Sequence, residues 1–202
     1  MRLLLIRHAV TAETGTKLSG RLPGSPLSGA GVAMAEQLAT GMASLKIHGL
    51  YTSPILRCRQ TAKPLGVVWG LEATTLQGVT EADYGSWSGR NLAALYRLKA
   101  WQRLMASASR FRFPNGETLE EAQRRAVAAI EGLAVGHRRE TIAVVTHSDV
   151  IRVLLAHYLG MPLDLVHRLH VAPASVSIIE LGEDGQVAVP TINNDVAGHR
   201  GR

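Results

Sequence analysis

Two short apolar runs that end directly at basic residues constrain the fold of this chain more than any other feature. Residues 2–6 read Arg-Leu-Leu-Leu-Ile and are followed at once by Arg7 and His8, and residues 141–146 read Thr-Ile-Ala-Val-Val-Thr and are followed by His147. Short apolar and β-branched runs between polar residues are typical of buried strands in a parallel sheet. We therefore predict two such strands, each of which delivers a histidine to its carboxyl end.

Further strand and helix patterns alternate along the chain. The other strand candidates are residues 50–52, 73–76 and 175–181 and an edge strand near Val187. Helices are predicted after the N-cap candidate Ser28, from Ser53-Pro54 onwards, over 93–105, over 122–133 behind a Thr118–Glu121 capping box, and over 150–159. This alternation predicts an α/β fold, a three-layer sandwich whose mostly parallel central sheet carries helices on both faces.

The length of the chain favours one domain over residues 1–202, because a typical domain has about 150 residues. Residues 87–117 hold an extra helix and loops, and we predict that they form an insertion that acts as a lid over the sheet. The polar segment 193–202 is predicted to be a flexible tail.

Composition and charge restrict the classes of function. The hydrophobic fraction of 46% excludes disorder as the overall state. The chain has 22 basic and 16 acidic residues, and 18 of the basic residues are arginines, whose planar fork suits phosphate or carboxylate. Cys58 is the only cysteine, which excludes an internal disulfide framework and a cysteine-rich zinc site. Every apolar run is too short for a secretory signal or a membrane span, so we expect a cytoplasmic protein without a membrane partner.

The ends of the predicted strands carry the first candidate site residues. Ligands of parallel α/β sheets bind beyond the carboxyl ends of the strands, where Arg7, His8 and His147 are expected. Two histidines in matching positions beside an arginine favour phosphate chemistry over simple strand capping. Arg57 is predicted in the first or second helical turn after Ser53-Pro54, where the helix dipole attracts phosphate and a guanidinium adds charge-assisted hydrogen bonds.

A proton donor is expected in the loop 81–89, which reads Glu-Ala-Asp-Tyr-Gly-Ser-Trp-Ser-Gly. Glu81 or Asp83 could supply the proton, and position alone does not separate them. Cys58 is not expected to be a nucleophile, because Pro64 stands where a cysteine phosphatase needs an arginine.

Taken together, these segments resemble the histidine phosphatase superfamily, which includes the cofactor-dependent phosphoglycerate mutases. The resemblance runs from residue 3 to about residue 181. The matching segments are Arg7-His8-Ala9, Ser19-Gly20-Arg21, Pro26–Gly29, Ser53–Arg57 with Gln60-Thr61-Ala62, Glu81 with Tyr84–Gly89, Phe113–Thr118 and Thr146–Arg152. Each segment alone is weak, but their order and their strand or helix contexts make the signal specific.

The resemblance implies a role for each catalytic candidate. His8 would be the nucleophile that accepts the phosphoryl group, and Glu81 rather than Asp83 would be the proton donor. The side chains that would hold the phosphoryl oxygens are those of Arg7, Arg57 and His147. Phosphoryl transfer needs positioning and cationic stabilisation, which these groups supply, so neither a metal nor another cofactor is expected.

Three further positions are implied at the edge of the site. Thr14 stands where many members carry an asparagine near the phosphate, and Gly20 would offer its backbone N–H. Ser148 replaces the glycine that commonly follows the second histidine, and its hydroxyl would either bind phosphate or cap the next helix.

The leading hypothesis is a phosphatase that hydrolyses a small phosphomonoester through a phosphohistidine intermediate. A phosphoglycerate mutase-like phosphomutase is a rival, although Glu13-Thr14 stands where those mutases have Trp-Asn. A ribazole-phosphate phosphatase is a second rival. A non-catalytic phosphate or nucleic-acid binder is a rival of another class, which the spread of the arginines along several helices disfavours. We thus expect a small phosphate ester and no nucleic acid as partner, and a homodimer stays open.

Overall fold

Six strands and six α-helices build the part of the chain, residues 1–196, that the computed structural model describes. The strands are β1 (Arg2–Arg7), β2 (Gly49–Thr52), β3 (Thr74–Thr75), β4 (Thr141–Thr146), β5 (Val176–Leu181) and β6 (Val187–Asn194). The helices are α1 (Gly29–Met42), α2 (Leu56–Trp69), α3 (Leu92–Tyr96), α4 (Lys99–Ala106), α5 (Leu119–Gly136) and α6 (Ser148–Tyr158).

The six strands form one sheet in the order β3-β2-β4-β1-β5-β6. The first four strands of that order pair in parallel, whereas β5 runs antiparallel to both β1 and β6. In the central pair, Arg2 lies opposite Thr141 and Arg7 lies opposite Thr146, so β1 and β4 end level with each other. The prediction of a mostly parallel sheet is confirmed, and its two central strands finish at the same edge.

Alternating side chains of the central strands feed two separate cores. Leu4 and Ile6 face one core, which α1 and α2 cover, and Leu3 and Leu5 face the other core, which α5 and α6 cover. All four side chains are buried, as expected for a strand with helices on both sides. The predicted three-layer arrangement is therefore confirmed.

Three helices, α1, α3 and α5, begin at a residue whose side chain caps the first turn. Ser28 accepts a hydrogen bond from the Gly31 N–H at the start of α1, and the predicted capping box at the start of α5 is present. The predicted start at Ser53-Pro54 is wrong, because α2 begins at Leu56 and Pro54 precedes its first turn. The Ser53 hydroxyl contacts His147 and is not the N-cap of α2.

The predicted insertion, residues 87–117, has its own apolar cluster at one end of the sandwich. Trp87, Leu95, Leu104 and Phe113 are buried there against the start of α5 and the middle of α6. The single helix predicted over 93–105 is wrong: extended backbone at Leu98 separates α3 from α4. That break allows side chains of both short helices to enter the same cluster.

The end of the chain differs from the predicted tail. Asn193 and Asn194 belong to β6, and the Asn193 side chain accepts a hydrogen bond from the Ala172 N–H at 2.6 Å. The prediction of flexibility from residue 193 therefore starts too early, and its remainder at 197–202 lies outside the described residues. Within residues 1–196, no helix has both the length and the apolar character that crossing a membrane requires.

Candidate active site

The two histidines predicted at strand ends lie side by side. His8 follows β1 and His147 follows β4, and the His8 N–H donates a hydrogen bond to the Thr146 carbonyl at 2.9 Å. Their ring centroids are 5.3 Å apart and their planes are inclined by 66°. His8 lines a cavity of about 380 Å³ at this edge of the sheet, whereas His147 is completely buried beside it.

One arginine connects the two histidines. Arg57, in the first turn of α2, donates from Nε to Nε2 of His8 at 3.1 Å and approaches Nδ1 of His147 with Nη2 at 3.0 Å. The same Nη2 donates to the Gly20 carbonyl at 2.8 Å. The Arg57 side chain is thereby held in one orientation across the floor of the cavity.

The contacts of His8 determine which nitrogen is free to react. Its Nδ1 lies 2.8 Å from the Ala9 carbonyl, which can only accept, so Nδ1 carries the hydrogen. Nε2 then has a lone pair, to which Arg57 donates. Burial and the nearby Arg57 charge lower the pKa of His8 to about 3, so the imidazole is neutral near pH 7.

Two buried guanidinium nitrogens lack hydrogen-bond partners within residues 1–196, namely Nε of Arg7 and Nη1 of Arg57. Arg7 is fixed by a 2.6 Å hydrogen bond from Nη1 to the Val171 carbonyl, and both arginines line the cavity. A buried cationic donor without a partner is costly, so its presence indicates a site that an anionic ligand completes. Phosphate oxygens fit such donors in number and charge.

Glu81 provides a carboxyl group at the same cavity. Its Oε1 accepts from the Ala82 N–H at 3.0 Å, and Oε2 lies 3.8 Å from Nδ1 of His147. Burial, followed by the charge of Asp149, raises the pKa of Glu81 to about 7. Burial and Arg57 lower the pKa of His147 well below its usual value, so the His147–Glu81 contact is not an ion pair at neutral pH.

Asp83, the alternative to Glu81, does not line the cavity. Its side chain is 41% exposed and lies 3.7 Å from the Arg21 guanidinium. It also accepts a hydrogen bond from the Gly85 N–H. The backbone carbonyl of Glu81 is held by Arg21 and Arg125, at 2.7 and 3.0 Å. The loop is thus anchored so that the first carboxylate points inward and the second outward.

The three positions implied at the edge of the site all line the cavity. Thr14 accepts a hydrogen bond from the Thr11 N–H through its hydroxyl, and Ser148 is the first residue of α6. Gly20 has φ +56, and a Cβ there would lie 2.8 Å from Oγ of Ser88, so this position requires glycine. Its carbonyl orients Arg57, and the expected contact of its N–H with phosphate stays a prediction.

A second polar cluster in the cavity was not singled out from the sequence. Asp149 accepts from the Tyr84 hydroxyl at 2.7 Å and from Nη1 of Arg152 at 2.8 Å. Burial alone would raise the pKa of Asp149, but Arg152 and Tyr84 outweigh it and lower that pKa. The sequence signal that could have found this cluster is the placement of Asp149 and Arg152, two and five residues after His147, in the first turns of a helix that follows a parallel strand.

The predicted insertion supplies the apolar wall of the cavity. The lining side chains from this segment are Leu92, Tyr96, Trp101, Leu104, Met105 and Phe113. Trp101 stacks on Trp87 with ring centroids 5.9 Å apart, which ties the wall to the apolar cluster beneath it. The insertion therefore faces the site, and its action as a lid stays a prediction.

The cavity thus combines a neutral imidazole, two arginines, a buried second histidine and a carboxyl group of raised pKa. A family profile described as the histidine phosphatase superfamily (branch 1) matches residues 3–195. The chain belongs to this superfamily, as the resemblance in the sequence predicted.

Individual relatives place the chain within the superfamily only broadly. The bifunctional protein Rv2228c of Mycobacterium tuberculosis is 30% identical over 95% of this chain, which spans 53% of that protein's length. The chain thus covers about half of that relative. Phosphoserine phosphatase 1 of Hydrogenobacter thermophilus is 27% identical, with 91% of this chain and 88% of that protein covered.

A solved structure shows the same fold. The α-ribazole phosphatase from Shigella flexneri superposes with a TM-score of 0.84, and the alignment covers 96% of this chain and 97% of that one. The sequence identity is 23%, so this likeness concerns the fold.

Proposed function

We propose that this protein is a phosphatase that hydrolyses a small phosphomonoester through a phosphohistidine at His8. The observation that carries the proposal is the accepting Nε2 of His8 beside buried guanidinium nitrogens of Arg7 and Arg57 that have no hydrogen-bond partner among residues 1–196. A nucleophile with a lone pair and cations for the three phosphoryl oxygens are what phosphoryl transfer requires.

In the first step, Nε2 of His8 attacks phosphorus, a P–N bond forms and the ester P–O bond breaks. Glu81, protonated in part near pH 7, gives its proton to the departing alkoxide oxygen, so the alcohol leaves neutral. Arg7 and Arg57 stabilise the charge on the phosphoryl oxygens throughout. The products of this step are phosphohistidine, the alcohol and the Glu81 carboxylate.

In the second step, a water molecule attacks the phosphorus of the phosphohistidine. The Glu81 carboxylate accepts a proton from this water, the P–N bond breaks, and inorganic phosphate and neutral His8 are produced. The proton accepted from water restores the acid form of Glu81 and returns the enzyme to its starting state. Neither step uses a metal or another cofactor.

The secondary roles are proposals of the same kind. His147, after it takes up a proton together with the bound phosphate ester, faces the phosphoryl group through Nδ1–H and stabilises it in the transition state. Thr14, Gly20 and Ser148 lie at the edge of the cavity, where they contact bound phosphate or the ester oxygen.

Hydrolysis is supported better than the rival functions. A phosphomutase must hold a second anionic group of its substrate, but Arg152 and Lys17, two further cations lining the cavity, are paired with Asp149 and Glu13. A non-catalytic phosphate or nucleic-acid binder would not need a nucleophile with a free lone pair and a carboxyl group of raised pKa beside its cations, and this cavity has both. Among phosphatases, no contact singles out ribazole phosphate.

The test is trapping of the phosphoenzyme with a radiolabelled phosphate ester under alkaline quench, together with phosphate release from p-nitrophenyl phosphate. We expect the wild type to give both signals and His8→Ala to give neither. His157→Ala, an exposed histidine on α6, is the matched control and retains both. Equal phosphate release by wild type and His8→Ala would refute the assignment of the nucleophile. Conversion of a phosphoglycerate to its isomer without release of phosphate would favour the mutase instead.

A further inference from the structure

Ser53 lies on the side of His147 opposite to the cavity. Its Oγ is 2.8 Å from Nε2 of His147, and both residues are completely buried. Ser53 follows β2 as His147 follows β4 and His8 follows β1, and β4 lies between the other two strands. Three adjacent parallel strands thus deliver a serine and two histidines in one row at the same edge.

The hydrogen-bond partners of His147 determine its tautomer. Nδ1 lies 3.0 Å from Nη2 of Arg57, and a guanidinium only donates, so Nδ1 accepts. A neutral imidazole with an accepting Nδ1 carries its hydrogen on Nε2. That hydrogen points at Oγ of Ser53, the closer of the two side-chain contacts that Nε2 makes.

The other contact of Nε2 is a poor substitute for Ser53. Sγ of Cys58 lies 3.4 Å from Nε2, and a thiol sulfur is a weak acceptor. Burial raises the pKa of the Cys58 thiol, so the sulfur is neutral and has no charge to strengthen the contact. Ser53 is therefore the acceptor that satisfies Nε2–H in the tautomer that the Arg57 contact selects.

We propose that Ser53 is a positioning residue that, together with Arg57 on the other side of the ring, fixes His147 as the Nε2–H tautomer and so presents Nδ1 to the phosphoryl site. The titratable and charged groups that act on His147 are Arg57 and Cys58 on α2, Arg7 and His8 at the end of β1, Arg125 on α5, and Glu81 in its loop. Because Nε2–H is already bonded to Ser53, a proton taken up with the phosphate dianion resides on Nδ1, where it replaces the hydrogen bond from Arg57 and is donated to a phosphoryl oxygen. This consequence rests on the proposed function, whereas the tautomer does not.

The direct test is ¹⁵N NMR of histidine-labelled protein without ligand, in which bare and protonated ring nitrogens give separate resonances. The His147 signals are identified by their loss in His147→Gln. We expect a protonated Nε2 and a bare Nδ1 for His147 in the wild type. A protonated Nδ1 would overturn the proposal, whatever the enzyme's activity, so its failure is distinguishable from failure of the proposed phosphatase.

A second test uses variants and the affinity for inorganic phosphate. We expect Ser53→Ala to lose the single-tautomer signature and to bind phosphate roughly 5- to 150-fold more weakly, the range that corresponds to one unpaired buried donor. Ser53→Thr restores the hydroxyl and should restore both readouts. Ser177→Ala, which also removes a completely buried serine hydroxyl but in β5, is the matched control and should change neither.

Unchanged tautomer and phosphate affinity in Ser53→Ala would overturn the proposal. If Ser53→Ala does not fold, the wild-type tautomer measurement decides by itself. A loss of phosphate affinity with an unchanged tautomer would contradict the proposed route through His147 as well.

Discussion

Nε of Arg57 donates a hydrogen bond to Nε2 of His8 at 3.1 Å. The same arginine that is proposed to bind the phosphoryl group therefore also holds the proposed nucleophile. An incoming phosphoryl group must take over part of this guanidinium as it approaches Nε2. Nη1 of Arg57, which has no hydrogen-bond partner in the described part of the chain, is available for that purpose before the existing contacts are exchanged.

Replacement of Arg57 tests this arrangement. We expect Arg57→Lys to lower kcat/KM for p-nitrophenyl phosphate by about 10²- to 10³-fold, because an ammonium cannot contact both histidines and a phosphoryl oxygen in the same planar geometry. Steady-state kinetics provide the measurement. Arg59→Lys is the control and should behave as wild type, because the Arg59 side chain, two residues further along α2, is exposed. Similar losses in both variants would show that the Arg57 effect is not local.

The raised pKa of Glu81 leads to a prediction for the pH dependence of kcat/KM. Burial and the charge of Asp149 raise its pKa to about 7. In the proposed mechanism the acid form protonates the leaving group, so kcat/KM for an alkyl phosphate should fall as the pH rises through about 7. We expect Glu81→Gln to abolish that decline and to slow alkyl phosphates by about 10²- to 10⁴-fold. Phenolic esters, whose leaving groups need little protonation, should lose less. Asp83→Asn is the matched control, and equal losses on both ester classes in Glu81→Gln would exclude the acid role.

The same carboxyl group affects stability without any substrate. Its pKa in the folded state lies above the usual value of 4.5, so folding favours the protonated form and its contribution is lost as the pH rises towards and above 7. Glu81→Gln cannot ionise, so its stability relative to wild type should increase between about pH 5 and pH 8. Urea unfolding of both proteins at several pH values measures this, and a constant difference would contradict the raised pKa.

Turnover should not depend on a divalent ion. In the proposed mechanism, the guanidinium groups of Arg7 and Arg57 supply the positive charge that a metal provides in other phosphatases. Over the described residues, no three His, Cys, Asp or Glu side chains converge in a way that could hold a metal ion. We expect EDTA to leave kcat and KM unchanged, with a metal-dependent phosphatase assayed in parallel as the positive control. Activity that EDTA removes and a divalent ion restores would contradict the mechanism.

The excess positive charge of the chain is concentrated next to the cavity. Residues 84–116 contain six Lys or Arg and no Asp or Glu, whereas the remaining 16 basic residues match the 16 acidic ones. Lys99 and Arg103 are exposed one turn apart on α4, and Trp101 and Met105 of the same helix line the cavity. A field of this sign attracts phosphate dianions at low ionic strength.

We therefore expect Lys99→Glu/Arg103→Glu to lower kcat/KM by roughly 2- to 10-fold at low salt with kcat unchanged, and to weaken its salt dependence. The control is Lys46→Glu/Arg138→Glu, which removes the same charge next to the starts of β2 and β4, at the end of the sheet away from the cavity. Equal effects in the two double variants would show that only net charge matters.

The sequence determined the fold class and the first half of the site. Apolar runs of about six residues define β1 and β4, and His8 and His147 follow them directly, so parallel pairing of these strands is enough to bring the histidines together. Arg57 was predictable for the same reason, since it lies in the first turn of a helix that follows a parallel strand. These inferences rest on local periodicity, which is encoded within a few residues.

The family resemblance already favoured Glu81 over Asp83, but only the tertiary structure decided the directions of the two carboxylates, and only it revealed the contact of Ser53 and the Tyr84–Asp149 hydrogen bond. The two carboxylates are two residues apart in one loop, and their directions depend on Arg21 and Arg125, which come from distant parts of the chain. The contacts of Ser53 with His147 and of Tyr84 with Asp149 span 94 and 65 residues. The burial of such groups depends on packing between elements that are far apart in the sequence, and burial in turn determines their pKa and tautomer. A local sequence pattern therefore does not contain this information.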